Sequence, residues 1–366
     1  MKKSKCEQIK SKWMSTMIRG LLNSVKNVSS ADSIIVQREY LKILCSVIKN
    51  NMECDKDITK EVINWFSINP WTLLDKYFLK IFKGITVHGL LDSSDNLAII
   101  SSLDEKGYKN ILFCSSKDFF IDVMSLELTP QLQSQALELV LNIFYSALCS
   151  RQTDVAFKIV GGIEFVNVDL LRGYIKSILT EDDVMFLSNL HIAAKISKML
   201  ASSDVMRDNA GFEQLVELFD IQYWFHHFAV HIQFDHKLVL DWLLDGDELC
   251  QNYLLFVLPV ISSDFWQFVE FLSTVIPDES RPRKTLEDVM DFLIRLNFSI
   301  HEVNTEISSI IDEIETKYES FGDVPMSDPL SGILSSKFTT QCSISKMCVE
   351  TEGSNYLGLV SYSDSD

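Results

Sequence analysis

Residues 221–275, IQYWFHHFAVHIQFDHKLVLDWLLDGDELCQNYLLFVLPVISSDFWQFVEFLSTV, decide the fold. Their apolar positions recur every three or four residues in the runs Tyr223 to Phe234, Leu238 to Leu244 and Leu249 to Leu258, and a fourth run spans Phe265 to Leu272. This spacing predicts four short amphipathic helices, broken at Asp245-Gly246-Asp247 and at Pro259 to Asp264. Helices so short and apolar are unstable alone, so they must pack on one another and on neighbouring helices. Trp224, Trp242 and Trp266 fall in this block and read as core anchors. One of them placed at a groove would instead be a hot spot for a partner helix or peptide.

Composition extends the helical reading outward. A hydrophobic fraction of 47% over 366 residues places the chain among folded proteins, with room for a large core or two domains. Only 13 Gly and 7 Pro accompany abundant Leu, Ile, Phe and Val, which suits helices joined by short connections. The formal charge of -18 opposes direct nucleic-acid binding as the main activity, because a phosphate backbone requires a positive field. Basic residues gather at the start, where Lys2, Lys3, Lys5, Lys10, Lys12, Arg19 and Lys26 face Glu7 alone. They read as the solvated face of a first helix, with a nuclear-import signal or an anionic-surface contact as the alternative. The cysteines at 6, 45, 54, 114, 149, 250, 342 and 348 form no CxxC pair. With no signal-like leader and no apolar run near 20 residues, they predict reduced thiols in an intracellular protein without a membrane span.

Four regions follow from the pattern: N-terminal helices over 1–83, a central helical region over 84–220, a C-terminal helical core over 221–322 and a mostly disordered tail over 323–366. In the first, helices are expected over 12–28, 33–48 and 57–66. Asn69-Pro70 supplies a cap and a first-turn proline for a helix through Trp71, Leu74, Phe78 and Phe82, with Gly84 as its stop. From Gly84 to Asp118 the signal is weak, and Asn110 to Phe113 reads as a helical turn or a short strand. Thr129-Pro130 opens the clearest helix, carrying Leu132, Ala136, Leu139, Ile143, Phe144 and Ala147.

Gly161-Gly162 lacks the third glycine, the Lys and the Ser/Thr of a phosphate loop and reads as a turn. Helices are expected over 169–179 and, after a capping box at Thr180 to Asp183, over 184–200. Residues 202–211 make a connection, and 212–219 lead into the opening block. Beyond Phe271, residues 275–284 are a charged, Pro-containing connection, and Thr285 to Asp288 offer a cap. Val303, Ile307, Ile310 and Ile314 form a stripe that docks a terminal helix on the core. The fold class is therefore all-α, an irregular armadillo/HEAT-like α-solenoid or a multi-helix bundle with a disordered C-terminal tail. No fixed-period consensus separates the two.

Candidate chemistry is sparse. His227 and His231 share a helix face at the spacing of zinc-binding helices, near His226, His236 and Asp235. Phe228 stands where an HExxH motif has glutamate, and Cys250 is the one nearby soft ligand, so these rings read as core-edge groups. Asp245-Gly246-Asp247-Glu248 lacks the ligand alternation of a calcium loop and reads as a turn with Asp247 as a cap. Asp182 and Asp183 sit at a helix start. No serine lies in a GxSxG elbow and no Cys-His pair stands on a strand-to-helix platform. No catalytic, cofactor-binding or metal-binding residue is therefore assigned, and no cofactor is expected.

Phe234 to Ile261, FDHKLVLDWLLDGDELCQNYLLFVLPVI, followed by Phe265-Trp266-Gln267-Phe268, resembles the C-terminal region of the Lines family. The likeness lies in Phe234-Asp235-His236, Leu240-Asp241, Leu243-Leu244, Cys250 and Tyr253-Leu254. The final residues, Leu359 to Asp366, are similar to the family's terminal LVDYSxSD-type peptide, with Ser361 in place of an acidic residue. Ile178 to Leu190 is similar, more weakly, to its long helical part. The chain is shorter than a typical vertebrate member, which implies a missing or divergent part of the N-terminal region.

The resemblance implies a non-enzymatic, protein-binding regulator shared between cytoplasm and nucleus. Such a protein acts on transcriptional regulators in developmental, Wnt- and Hedgehog-related signalling. It transfers no catalytic residues. Phe234, Leu240, Leu244 and Tyr253 are expected in the core. The alternatives are an enzyme whose site assembles across the helices, or a structural helical protein without a signalling role.

Overall fold

The computed structural model describes residues 33–50, 56–68, 72–87, 91–106, 130–161, 167–179, 183–202, 206–274 and 282–322, together with Thr16 and Gly20. Every regular element among them is a helix, so the described chain is all-α. Two compact units divide it, one ending in residues 203–218 and the other comprising 193–202 with the residues from Phe219 onward.

The first unit contains α1 (Ser33–Asn50), α2 (Lys56–Ile68), α3 (Thr72–Val87), α4 (Ser93–Glu105), α5 (Pro130–Cys149), α6 (Thr153–Val160), α7 (Val168–Leu179), the first part of α8 (Asp183–Ser202) and α9 (Phe212–Leu218). Alternate helices pack in two rows: α1 on α3, α3 on α5 and α5 on α7 in one, α2 on α4 and α4 on α6 in the other. Contacts of α2 with α3, α4 with α5 and α5 with α6 join the rows. Between α2 and α3 lies an aromatic cluster in which Phe78 meets Trp65 at 5.0 Å and Phe66 at 5.3 Å, and Phe66 meets Phe82 at 5.3 Å.

Asp75 and Glu138 are among the buried charged groups of this unit. Asp75 of α3 accepts from Lys106 at 3.0 Å, and the same ammonium lies 4.6 Å from the centroid of Phe66. Glu138 of α5 accepts from Lys83 of α3 at 2.6 Å and from the Ser188 hydroxyl of α8. A buried charge held without such partners would destabilise the fold, so these contacts fix the helices they join.

The second unit contains the last part of α8, α10 (Ile221–His231), α11 (His236–Leu244), α12 (Glu248–Ser263), α13 (Phe265–Thr274), α14 (Pro282–Ile300) and α15 (Thr305–Gly322). Helix α12 is its centre, packing on α10, α11, α13 and α15, while α14 packs on α11, α13 and α15. Phe225, Phe228, Tyr253, Phe265, Phe268 and Phe292 are fully buried, each contributing about 1.5–3 kcal/mol of apolar burial. The terminal helix α15 docks as expected, on α12 and α14.

Several expectations shift. Gly84 lies inside α3, which continues to Val87 because Ile85 and Thr86 are buried beyond it. The weak segment after Gly84 contains α4, whose first turn is held by the Asp92 carboxylate accepting from the Asp95 amide at 3.0 Å. Its apolar residues sit among polar ones without a strong helical stripe, which hides it from a periodicity argument. Pro259 does not break α12; the helix runs on to Ser263 and turns by 92° into α13 at Asp264. The lost proline hydrogen bond is offset by complete burial of Val257, Leu258 and Ile261 around it.

Helix α14 opens at Pro282 rather than at the Thr285–Asp288 cap, using proline where a first turn needs no amide donor. The buried stripe of α15 is Ile307, Ile311 and Ile314, with Val303 exposed in the preceding turn. The expected helix over 12–28, the Asn110 to Phe113 segment, Gly162 and the 323–366 tail lie wholly or mainly outside the described residues.

Candidate functional site

The block from Asp220 to Ser263 is shaped by two interhelical turns of the same construction. After α10, the Gln233 amide donates to the Val230 carbonyl at 3.0 Å and the Phe234 amide to the Ala229 carbonyl at 2.8 Å, both residues having φ near +55°. After α11, Gly246 at φ 76° donates to Leu243 at 3.3 Å, and Asp247 donates to Trp242 at 2.9 Å. Both are Schellman closures that satisfy the last carbonyls of a helix.

Each turn is followed at once by an aspartate N-cap. Asp235 accepts from the Lys237 amide at 2.9 Å, and Asp247 accepts from Leu249 at 2.8 Å and Cys250 at 3.2 Å. Asp220 does the same for α10, accepting from Gln222 at 2.7 Å and Tyr223 at 3.3 Å. In the Asp245-Gly246-Asp247 turn the Asp247 carboxylate thus acts as a cap, as the sequence predicts, while Asp245 closes α11 through its backbone amide.

His227 is buried with its ring 5.8 Å from Trp224 and 6.4 Å from His231, while His226, His231 and His236 are half-buried. Among the described residues no group of three His, Cys, Asp or Glu side chains gathers where it could hold a metal ion. Cys250 is fully buried, and burial together with the nearby Asp247 carboxylate pushes its thiol up to about 12, which disfavours the nucleophilic thiolate. Glu138 with Lys83 and Ser188, and Asp75 with Lys106, unite ionisable groups only inside the helix rows of the first unit.

Of the residues expected in the core, Tyr253 and Trp224 are buried there. Leu240 and Trp242 are half-buried, and so is Phe234, which stands at the Schellman turn with its ring 6.4 Å from Phe292. Leu244 and Trp266 are corrections: they are 58% and 53% exposed. Leu244 ends α11 beside the exposed Asp245-Gly246 turn, and Trp266 takes the outer position after the 92° bend while Phe265 takes the inner one.

Tyr253 carries a buried hydroxyl with no hydrogen-bond partner among the described residues, and burial raises its pKa. Tyr253→Phe removes that unsatisfied group while keeping the ring 5.3 Å from Phe228, so its unfolding free energy should equal or exceed that of the parent by up to about 1 kcal/mol. A loss greater than about 1 kcal/mol in urea denaturation would mean that the hydroxyl is bonded.

The outer face of α14 was not singled out by the sequence argument. Val289, Leu293, Leu296 and Ile300 point inward, and the wheel places Ile294 and Phe298 opposite them, 41% and 90% exposed. Arg295 lies beside them and grips Asp291 through Nε at 3.0 Å and Nη2 at 2.8 Å. The signal was present in LIRLNFSI as an apolar pair one turn apart and off the buried stripe. Behind this face Asn297 binds α14 to α15: its amide donates to Asp312 at 2.6 Å and Glu315 at 3.0 Å, and its carbonyl accepts from Ser308 at 2.6 Å.

No single helix among the described residues is long and apolar enough to cross a membrane. No protein-family model, curated protein or solved structure matches the chain, so the likeness to the Lines family rests on the residues quoted for it.

Proposed function

We propose that this chain is a non-enzymatic, protein-binding regulator built as an armadillo/HEAT-like α-solenoid. The observation that carries the reading is the two-row packing of the first unit, α1–α3–α5–α7 beside α2–α4–α6. Rows of stacked helices present a continuous surface that scales with their number, which suits protein recognition better than small-molecule turnover. The strongly acidic composition and the resemblance to the Lines family support the same reading.

In this proposal the partners are transcriptional regulators in developmental, Wnt- or Hedgehog-related signalling, met in both cytoplasm and nucleus. The buried ion pairs hold helices together and carry no chemistry. Affinity capture of the full chain from cells, with quantitative mass spectrometry of three independent preparations, tests it. The expected result is a small, reproducible set of protein partners containing at least one transcriptional regulator. Recovery of no reproducible partner would overturn the proposal.

A further inference from the structure

Charge is unevenly placed along this acidic chain. Residues 1–87 hold 15 of the 33 Lys and Arg but only eight of the 51 Asp and Glu, a formal +7, and the remainder carries -25. The fold turns part of the basic excess into a surface. On α3, Lys76, Lys80 and Lys83 fall within about 60° of one another around the helix, opposite the buried Leu74, Phe78, Ile81 and Ile85. On α1, Arg38 and Lys42 stand one turn apart. The Cys45 thiol beside them donates to the carbonyl of Tyr77, the neighbour of Lys76, at 3.5 Å, so the two basic edges meet where α1 packs on α3.

The acids carried by α1, α3 and the adjoining α5 are Glu39, Asp75 and Glu138. Glu39 pairs with Arg38 at 3.1 Å and with Lys42 at 3.2 Å, Asp75 is buried against Lys106, and Glu138 takes Lys83. Those pairs leave Lys76, Lys80 and one charge of the Arg38-Glu39-Lys42 group uncompensated. Lys76 and Lys80 are exposed, and among the described residues neither meets a carboxylate. Round the same side of α1 follow Ile35 and Ile43, 61% and 45% exposed. The face is therefore basic and apolar together.

Charge complementarity calls for an acidic occupant, and the size of the face calls for a short one. Lys76 to Lys83 covers about 10 Å of helix, and α1 lies one interhelical spacing, about 8–10 Å, to the side. Three net charges neutralise too few phosphates to hold a nucleic acid, and the nearby rings of Tyr40 and Tyr77 are half-buried, which leaves no platform for stacked bases. A peptide with carboxylates and apolar residues interleaved matches both features of the face. Exposed ion pairs add little affinity each, so they set orientation and association rate while the apolar contacts slow release.

We propose that the α1–α3 face binds a short acidic segment of a partner protein, seating its carboxylates on Lys42, Lys76 and Lys80 and its apolar residues on Ile35 and Ile43. The proposal rests on the protein-binding reading above and names the site and the chemistry of the partner.

The test is fluorescence anisotropy with the full chain and a fluorescein-labelled peptide of about five helical turns, built from glutamates and leucines at helical spacing. The control peptide carries glutamine at every glutamate. The acidic peptide is expected to bind at least about tenfold tighter than the control at low salt, and to lose most of that advantage at about 0.3 M NaCl. Lys76→Gln with Lys80→Gln should weaken it at least about tenfold. Lys176→Gln with Lys237→Gln, which removes the same charge from exposed positions on α7 and α11, should change it less than about twofold. Circular dichroism and Tm should be unchanged in both variants, because every substituted side chain is exposed.

Equal binding of the two peptides, or equal losses in the two double variants, would overturn the proposal. So would tighter binding of a single-stranded oligonucleotide of the same charge that Lys76→Gln with Lys80→Gln abolishes, which assigns the face to nucleic acid. Concentration-dependent self-association in sedimentation, abolished by that variant, would overturn it by assigning the face to a second copy. A roughly tenfold gain in peptide affinity on Asp364→Asn with Asp366→Asn would do so by assigning it to the chain's own C-terminal segment. If captured cellular partners are kept undiminished by Lys76→Gln with Lys80→Gln, this site fails while the protein-binding reading stands. If the parent chain captures none, the broader reading fails.

Discussion

Phe78→Ala is expected to lower the unfolding free energy of the first unit by about 3–5 kcal/mol. Phe78 has no exposed surface and touches Trp65, Phe66 and Phe82 at centroid distances of 5.0, 5.3 and 6.4 Å. Removing the ring leaves a void walled by three other aromatic side chains on two rigid helices, so little collapse can fill it. The edge-on pairing with Trp65, at an interplanar angle of 82°, adds a favourable quadrupole term that alanine also forfeits. Hydrogen exchange is the suitable readout for a chain of two units, because it reports the local free energy of opening for α2 and α3 separately from the rest. A loss below about 1 kcal/mol at those amides would show that the cluster is not packed as described.

Asp75→Ala should be comparably damaging, at about 3–5 kcal/mol, for an electrostatic reason. Asp75 is wholly buried, and the side chain of Lys106 paired with it is only 12% exposed. Without the carboxylate, the ammonium loses this counter-charge, and the face of Phe66, 4.6 Å away, offsets part of its desolvation but not most of it. The second substitution separates loss of the pair from loss of packing: Asp75→Leu with Lys106→Met should recover most of the stability by removing both charges. If the double variant is as unstable as Asp75→Ala, the loss comes from packing and the electrostatic account fails.

Legibility in the sequence followed periodicity. Helices with a strong apolar stripe and a local start or stop were located to within a few residues, as for α5 after Thr129-Pro130 and for the boundary between α11 and α12, which Asp245-Gly246-Asp247 announced. Helix α4 was missed because its start depends on the single carboxylate of Asp92 and its stripe is diluted by serines and asparagine. Pro259 and Gly84 misled for the opposite reason, since tertiary burial on both sides overrode local breaking tendency.

The site was harder. Leu244 and Trp266 have the composition of core residues, and only the helix ends beside them decide that they face outward. Phe298 was legible in principle, because a helical wheel through the buried Val289, Leu293, Leu296 and Ile300 places it on the far side. The buried partners of Glu138 and Asp75 come from positions 55 and 31 residues away, a separation that no local pattern encodes.

The central claim, that this chain works by holding another protein, is tested most directly by isothermal titration of the purified full chain with a purified transcriptional regulator recovered by affinity capture. The account predicts saturable binding at fixed stoichiometry with a Kd in the micromolar range or tighter, with a negative heat-capacity change from apolar burial. Absence of saturable heat at concentrations of about 100 μM, for every reproducibly captured partner, would contradict it.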